Sequence, residues 1–265
     1  MPGMVAHILV TNDDGVFSPG LLALKQALTA LGEVTVFAPD RNWSAAGHSK
    51  TMHKPLRIHP VTLADGSPAF STNGAPSDCV GLALLGAIPR LPDLVVSGIN
   101  NGANMGHDVT YSGTVAGAME AVVGGVPAIA ASMNSRTWAD FAALTAVVVQ
   151  LAQHILRAGL PADVLLNVNA PAIPSAEVRG VQVTRLGRRI YRDVLVERTD
   201  PFGKPYYWIG GDPPDGVAEE GTDIGALAAG YISVTPLTLD MTAAPLMPAL
   251  QEWVNGKQVI VNNNR

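Results

Sequence analysis

The start of the chain predicts a strand, a helix and a second strand, and this order most constrains the fold. Residues 8–10 and residues 34–37 are short apolar runs. Between them, Ser18-Pro19 is typical of a helix N-cap followed by proline in the first turn, and Gly32 follows the last periodic position. The helix is marked by the leucines Leu21, Leu22, Leu24, Leu28 and Leu31. This arrangement predicts parallel pairing of the two strands, because parallel strands need a crossover connection.

Two adjacent carboxylates, Asp13 and Asp14, follow the first predicted strand. At about 4 Å they would repel by about 4 kcal/mol for an effective dielectric of about 20, unless one is protonated or a cation lies between them. Asp14-Gly15 is also typical of a hairpin turn, but a helix pattern follows it instead of a second alternating strand. Open parallel sheets bind ligands at the carboxyl ends of their strands. We therefore interpret the pair as a catalytic, metal-binding site.

Strand and helix patterns alternate further along the chain and predict an α/β fold, with a Rossmann-like, mostly parallel sheet and helices on both faces. The additional strands are predicted at residues 94–96, 128–130, 165–168 and 231–234, and the additional helices at 112–123, 141–155 and 222–229. We assign the α/β core to residues 1–174 and 221–245, an extended arm to 175–220, and a C-terminal tail to 246–265. The arm is irregular but rich in aromatic residues, which favours an oligomer interface.

Composition and charge exclude several classes of protein. The chain has 265 residues, of which 48% are apolar, so it can bury a sizeable core. Its 17 Lys and Arg residues against 22 Asp and Glu residues provide no general basic surface for duplex nucleic acid. Cys79 has no partner for an internal disulfide, and neither a signal peptide nor a membrane-spanning apolar run is found. We expect a cytoplasmic protein with Cys79 packed in the core.

Three polar segments qualify as partners of the acidic pair: residues 38–47, 97–104 and 111–114. Each is a weak signal alone, because Ser, Asn and Gly occur in loops for turn chemistry. Ser112, Gly113 and Thr114 offer hydroxyl groups and backbone N–H groups at the start of a helix, which suits a phosphate group. A simple N-cap is the alternative. Both interpretations stay open on the residues alone.

The chain resembles the SurE survival-protein nucleotidases over residues 7–245. The motifs that carry the resemblance are residues 11–15, 38–42 with Ser44, Gly74 with 76–80, 97–100 and on through Glu120, 167–171, 206–208, and 221–223 and on through Thr242. The resemblance implies one divalent metal ion per subunit, held by Asp13, Asp14, Ser44 and Asn100. It implies hydrolysis of nucleoside 5′- and 3′-monophosphates, with polyphosphate a substrate of some members. It also implies a homodimer or homotetramer formed through the C-terminal arm.

The ligand set implied by the resemblance consists of oxygen atoms alone, which favours Mg²⁺ or Mn²⁺ over zinc. We expect Asn12 to orient the acidic turn and to be near the substrate. Ser112, Gly113 and Thr114 are the predicted phosphate-binding residues.

Three residues depart from the pattern of the family. Trp43 stands where a polar residue is usual, and Ala45 stands where glycine is usual, next to the metal-binding serine. Trp43 is either a residue of the cavity rim or a platform on which a nucleobase stacks. His107 stands where members often carry an acidic residue; imidazole titrates near neutral pH and could protonate a leaving alcohol, but we expect a bystander.

Two rival functions share the acidic pair. A signalling receiver module needs a phospho-accepting Asp after its third strand and a later Lys, whereas Ser97 and Asn100 occupy that place here. An aspartyl-phosphate phosphatase uses two Asp residues separated by one position, whereas Asp13 and Asp14 are adjacent. A nucleotide-cofactor protein would need a glycine-rich phosphate loop after a strand, and the sequence contains none.

Overall fold

A mostly parallel nine-stranded sheet forms the centre of the protein. The structure is a computed structural model that describes residues 5–135, 137, 140–211 and 215–256. Its strands are β1 (Ala6–Thr11), β2 (Gly32–Pro39), β3 (Ile58–Thr62), β4 (Pro68–Thr72), β5 (Leu94–Asn101), β6 (Ala128–Met133), β7 (Val164–Ala170), β8 (Val181–Val183), β9 (Arg189–Ile190), β10 (Asp193–Thr199), β11 (Pro205–Gly211), β12 (Asp215–Gly216) and β13 (Ile232–Thr238). Its helices are α1 (Pro19–Leu28), α2 (Pro76–Leu82), α3 (Gly113–Val123), α4 (Ala142–Ala158), α5 (Asp223–Ala228) and α6 (Met247–Val254).

The strands of the main sheet follow the order β3-β4-β2-β1-β5-β6-β7-β13-β8. Parallel pairing runs from β4 through β2, β1, β5 and β6 to β7, whereas β3 and β13 pair antiparallel with their neighbours β4 and β7. β1 lies between β2 and β5, so the acidic turn at its carboxyl end is flanked by the loops that follow both neighbours. The structure confirms the predicted α/β class with a mostly parallel sheet.

Two apolar layers cover the faces of the sheet. α1 and α4 pack on one face over residues such as Ile8 and Val96, and α2 and α3 pack on the other over residues such as Leu9 and Val95. Alternate residues of β1 therefore enter opposite layers, as the period of a strand requires. Cys79 lies in the second layer, where it is fully buried and burial raises the pKa of its thiol well above the ordinary value.

The first helix is shorter than its leucine pattern predicts. It ends at Leu28 with Thr29 as its C-cap, and Gly32 already belongs to β2. A side chain at Gly32 would place its Cβ 2.2 Å from the carbonyl oxygen of Ala6, so this glycine permits the close approach of β2 to β1. Gly32 therefore serves strand pairing rather than the end of the helix.

The segment from residue 175 to residue 220 divides between the sheet and an outlying hairpin. β8 pairs with β13 in the main sheet, and β9 pairs with β12. The β9–β12 pair is a small sheet separate from the main sheet, and β10 and β11 form a second separate pair, a hairpin joined by the turn at residues 200–204. In the predicted tail, α6 is followed by residues 257–265, which lie outside the described residues. In the described part of the chain, no helix combines the length and apolar character needed to cross a membrane.

Candidate active site

Asn12 shapes the acidic turn from within. Its side chain is fully buried, its Nδ2 donates to the carbonyl oxygen of Gly15 at 3.1 Å, and its Oδ1 accepts from the Gly15 N–H at 3.2 Å. Both hydrogen bonds close the same four-residue turn. The geometry is that of a residue that orients the turn that carries the two carboxylates.

Asp13 has a buried carboxylate that lies beside the start of helix α3. It is 3% exposed, and its Oδ1 accepts a 2.6 Å hydrogen bond from the hydroxyl of Thr114. Burial raises the pKa of the Asp13 carboxyl to about 6; the Thr114 hydrogen bond opposes this shift and the charge of Asp14 adds to it. A Cβ at Gly113 would lie 2.8 Å from the Asp13 Cβ, so the absence of a side chain there lets the helix approach the carboxylate.

Asp14 connects the acidic turn to both neighbouring loops. Its Oδ1 accepts from Nδ2 of Asn42 at 3.2 Å, and its Oδ2 accepts from the backbone N–H of Asn101 at 3.0 Å. Asn42 follows β2, whereas Asn101 ends β5. The half-buried Asp14 therefore holds together the three segments that carry the predicted metal ligands.

The loop that contains Ser44 is fastened at several points. The backbone N–H of Trp43 donates to the carbonyl oxygen of Asp13 at 2.7 Å, and that of Ser44 donates to Oδ1 of Asn42 at 2.8 Å. Ala45 has a φ of 58°, in the left-handed region that favours glycine. The departure of Ala45 from the glycine usual in the family thus falls at a position where the backbone is strained.

Glu120 and Asp78 anchor the same loop to helices α3 and α2. The buried Glu120 carboxylate contacts Nε2 of His48 and Nζ of Lys50, each at 2.9 Å. Asp78 accepts from both the backbone N–H and the hydroxyl of Thr51, at 3.0 and 2.6 Å. These contacts hold the far end of the loop against the helices.

Trp43 is half-buried beside Ser44 and packs between cationic side chains. The guanidinium of Arg41 lies 5.3 Å from the centre of its ring and the ammonium of Lys54 lies 5.7 Å from it. Such contacts are cation–π interactions. Because the ring already packs against two side chains of its own chain, the geometry favours the rim residue over an open platform for a nucleobase.

Asn100 presents an amide oxygen at the end of β5. Its Nδ2 donates to the carbonyl oxygen of Gly102 at 2.7 Å, which fixes the orientation of the amide and leaves Oδ1 as its acceptor atom. An amide oxygen held in this way is a suitable ligand for a hard divalent cation.

A cavity of about 600 Å³ opens at this edge of the sheet. Four of the predicted site residues line it, namely Asp13, Ser44, Asn100 and Ser112. Asp14 lines an adjoining groove, and Asn12, Gly113 and Thr114 are buried behind the cavity wall. The exposed His107 is not among the residues that line the cavity.

The start of α3 combines the two interpretations that its sequence left open. Ser112 accepts from the backbone N–H of Val115 at 3.1 Å, as an N-cap does, and also lines the cavity. Thr114, by contrast, is fully buried, and its hydroxyl donates a hydrogen bond to Oδ1 of Asp13. The hydroxyl of Thr114 thus positions the Asp13 carboxylate, and a contact between Thr114 and phosphate stays a prediction.

Several contacts of the cavity residues were not predicted from the sequence. Asn104 donates its backbone N–H to Oδ1 of Asn169 and its Nδ2 to the hydroxyl of Ser132, and its carbonyl oxygen accepts from Asn167 and Asn169. This buried network holds the loop after β5. Asp108 and Arg189 also line the cavity. Their positions depend on contacts between distant segments, which no local spacing signals.

The donor set fits a hard divalent cation. Asp13, Asp14, Ser44 and Asn100 would supply two carboxylates, a hydroxyl and an amide oxygen, the ligand types preferred by Mg²⁺ and Mn²⁺. Within residues 5–135, 137, 140–211 and 215–256, no group of three or more His, Cys, Asp and Glu side chains has the arrangement of a metal site. The described residues thus offer no competing site of the kind that zinc favours.

Comparisons with known proteins agree with the resemblance found in the sequence. The family pattern described as Survival protein SurE matches residues 8–193. A protein from Herpetosiphon aurantiacus named 5′-nucleotidase SurE is 53% identical over 260 residues, which cover 97% of this chain and 99% of that protein. One of the same name from Chloroflexus aggregans is 54% identical over 250 residues, covering 93% of this chain and 98% of that protein.

A solved structure supports the same assignment. The crystal structure of a SurE protein from Aquifex aeolicus is 42% identical to this chain, with a TM-score of 0.77, and the match covers 94% of this chain and 99% of that one. The likeness extends over nearly the whole length of both chains, in sequence as well as in fold. This chain belongs to the SurE survival-protein family.

Proposed function

We propose that this protein is a metal-dependent phosphomonoesterase that hydrolyses nucleoside 5′- and 3′-monophosphates to nucleoside and phosphate, with polyphosphate as a further substrate. The observation that carries the proposal is the buried carboxylate of Asp13, next to Asp14 in sequence, in the wall of a cavity of about 600 Å³ that Ser44, Asn100 and Ser112 also line. The names of the relatives support the class of substrate, since both curated relatives described above are called 5′-nucleotidases.

In this proposal Asp13, Asp14, Ser44 and Asn100 hold one Mg²⁺ or Mn²⁺ ion. A bound divalent cation supplies Lewis-acid polarisation of the phosphoryl group. Thr114 and Gly113 keep the Asp13 carboxylate in place, the first by its hydrogen bond and the second by leaving room. Asp14 maintains the spacing of the loops through Asn42 and Asn101.

Ser112 and the first turn of α3 are proposed to bind the phosphoryl oxygens. The N-terminus of a helix carries partial positive charge and backbone N–H groups without intrahelical partners, so it stabilises an anion. Ser112 adds a hydroxyl that lines the cavity. As negative charge redistributes over the phosphoryl oxygens during the reaction, donors held in place in this way stabilise the transition state.

A phosphate-release screen tests the proposed function. We expect the purified protein to release phosphate from nucleoside 5′- and 3′-monophosphates in the presence of Mg²⁺ or Mn²⁺. EDTA should abolish the release and excess metal should restore it, because two carboxylates are the only charged ligands of the proposed site. Full activity in the presence of the chelator, or no release from any nucleoside monophosphate with either metal, would contradict the proposal.

We also propose that the hairpin formed by β10 and β11 is an interface between two copies of the chain, giving a homodimer or homotetramer. The hairpin exposes a set of large apolar side chains, namely Val194, Leu195, Phe202, Tyr207, Trp208 and Ile209. Phe202 is 88% exposed and Ile209 is 82% exposed. A two-stranded hairpin is only marginally stable by itself, and burial against a second copy would cover these side chains.

Replacement of residues 193–211 by a short Gly-Ser linker should yield a monomer by light scattering. Asp193 pairs with Gly211, so a short linker can join the ends without moving β9. Phosphate release should persist, since the acidic turn lies outside the excised segment. Ile209→Asp should weaken association in the same way, whereas Leu85→Asp, at an 87% exposed residue outside the hairpin, should not. A variant without the hairpin that still forms the native oligomer would place the interface elsewhere.

A further inference from the structure

The base of the arm, which is the segment from Gly187 to Tyr191, places a guanidinium group in the wall of the active-site cavity. Arg189, in the short strand β9, lines the same cavity as Asp13, Ser44 and Asn100. It is the only Lys, Arg or His side chain among the described residues that line the cavity. Its side chain is 13% exposed. The sequence places this arginine in the arm, among arginines that favour an oligomer interface, with a track for polyphosphate as the alternative.

Asp108 holds the guanidinium group in a defined orientation. Nε of Arg189 donates to Oδ2 of Asp108 at 2.5 Å, and the hydroxyl of Tyr191 donates to Oδ1 of the same carboxylate at 2.6 Å. Burial, together with the Asp108 hydrogen bond, raises the pKa of Tyr191, so its hydroxyl stays protonated as a donor. Asp108 also lines the cavity. Both members of the ion pair therefore belong to the cavity wall.

Asp223 fastens the base of the arm to the segment that carries Asp108. Its Oδ2 accepts from the backbone N–H of Gly106 at 2.8 Å, and its Oδ1 accepts from that of Gly187 at 2.7 Å. Asp223 is fully buried. The Asp223 carboxylate thus bridges the segments that contain Gly106 and Gly187. Gly106 lies two residues before Asp108, and Gly187 lies two residues before Arg189.

The two bridged segments pack without space for a side chain between them. Gly106 has a φ of 53°, and a Cβ there would lie 2.5 Å from the carbonyl oxygen of Gly187. A Cβ at Gly187 would lie 2.8 Å from Oδ1 of Asp223. This close packing keeps the arm base in contact with the cavity wall, so the position of Arg189 is determined by the fold.

We propose that Arg189 is a substrate-binding residue that contacts the phosphoryl oxygens of the substrate. A phosphate monoester brings negative charge into a cavity whose described wall already contains the carboxylates of Asp13 and Asp108. A metal ion offsets part of this charge, and a guanidinium group offsets more while its planar set of donors matches the geometry of phosphate. Asp108 is a positioning residue that acts through Arg189. This inference rests on the proposed phosphomonoesterase function.

The test compares Arg189→Gln with Arg188→Gln, a matched variant that removes the same charge from an exposed residue outside the cavity lining. Two substrates are used, adenosine 5′-monophosphate and p-nitrophenyl phosphate, which share only the phosphoryl group. Competitive inhibition by inorganic phosphate gives a separate measure of phosphate binding. Arg189→Lys is included because it keeps the charge but loses the planar donor set.

We expect Arg189→Gln to lower kcat/KM by about 100-fold on both substrates, the size of effect seen when one fixed donor to a transition-state oxyanion is removed. The inhibition constant for inorganic phosphate should rise by about 10-fold or more, since a charged hydrogen bond to the anion is lost. Arg189→Lys should fall between Arg189→Gln and the wild type, and Arg188→Gln should resemble the wild type. If the Gln variant fails to fold, the Lys variant alone should still show the higher inhibition constant.

Three results would overturn the inference. A loss confined to adenosine 5′-monophosphate, with an unchanged phosphate inhibition constant, would place Arg189 at the nucleoside. Equal behaviour of the Arg189 and Arg188 variants would remove it from the site. A lower melting temperature with an unchanged phosphate inhibition constant would make the ion pair purely structural. In each case the wild type still releases phosphate, whereas a wild type without activity would contradict the proposed function itself.

Discussion

Asp13→Asn is expected to lose more than about 100-fold in phosphate release while the metal-free protein becomes more stable. The loss follows from the proposed role of Asp13 as a metal ligand, because even changes around a ligand cost 10- to 100-fold in metal affinity or activity. The gain in stability follows from burial, which raises the pKa of the Asp13 carboxyl from 3.8 to about 6.

The raised pKa predicts how this stability depends on pH. The native state binds the Asp13 proton more tightly than the unfolded chain does, so the protonated carboxyl stabilises the fold below pH 3.8 and its contribution is lost as the pH rises to about 6. Above that range the ionised carboxylate costs about 3 kcal/mol in the absence of metal. Asparagine removes this cost but must bury an N–H group, so we expect a gain of about 1 to 3 kcal/mol at pH 7.5.

Denaturant unfolding in EDTA, at pH 7.5 and at pH 4.5, measures this difference. The advantage of Asp13→Asn over the wild type should shrink at the lower pH, where the native Asp13 is mostly protonated. Asp14→Asn is the matched comparison: it should also lose activity, but its gain in stability should be smaller because Asp14 is only half-buried. A less stable Asp13→Asn variant at pH 7.5, without metal, would make the acidic pair a structural feature of the fold.

Gly113→Ala is expected to lower kcat/KM by about 100-fold although the new side chain is a single methyl group. Its Cβ would lie 2.8 Å from the Cβ and 2.9 Å from Oδ2 of Asp13. Either the carboxylate or the start of α3 must move, and a misplacement of about 1 Å in a catalytic constellation costs about 100-fold. Alanine is otherwise favourable in a helix by up to about 1 kcal/mol, so helix propensity does not explain a loss.

Steady-state kinetics with p-nitrophenyl phosphate and a nucleoside monophosphate measure the effect of Gly113→Ala. Gly81→Ala in α2 is the control, because its Cβ would lie 3.4 Å from the nearest atom, Oε1 of Glu120, and needs only a slight adjustment. It should keep activity close to that of the wild type. If Gly113→Ala also retains wild-type kinetics and metal affinity, the close approach of helix α3 has no part in holding Asp13.

Local patterns were sufficient for the core of the fold. The order of strand, helix and strand and the start of α1 after Ser18 are found as predicted, and the helix predicted over residues 141–155 is found as α4 (Ala142–Ala158). Each depends on hydrophobic period and on capping residues within a few positions of one another. The end of α1 was not predicted, because Gly32 is required by the approach of β2 to Ala6, a contact between two strands.

The candidate site residues also divide into those that the sequence indicated and those whose contacts only the structure revealed. The sequence indicated Asp13, Asp14, Ser44 and Asn100 as metal ligands through its motifs, and that assignment stays a prediction. It also assigned Thr114 to phosphate, which stays a prediction; the structure adds a hydrogen bond from the Thr114 hydroxyl to Asp13, 101 positions away. It assigned Arg189 to the arm, whereas the structure pairs Arg189 with Asp108, 81 positions away, in the cavity wall.

The sequence by itself therefore determined the α/β class, the family, and the sheet edge at which the acidic pair lies. Those features follow from the local period of apolar residues and from motifs of a few contiguous residues. Only the tertiary structure decided which donors Asp13 has, which side chains enter the cavity with it, and that the base of the arm is part of that cavity. These depend on contacts between distant segments, such as the Asp223 bridge from Gly106 to Gly187, which form only when the chain packs.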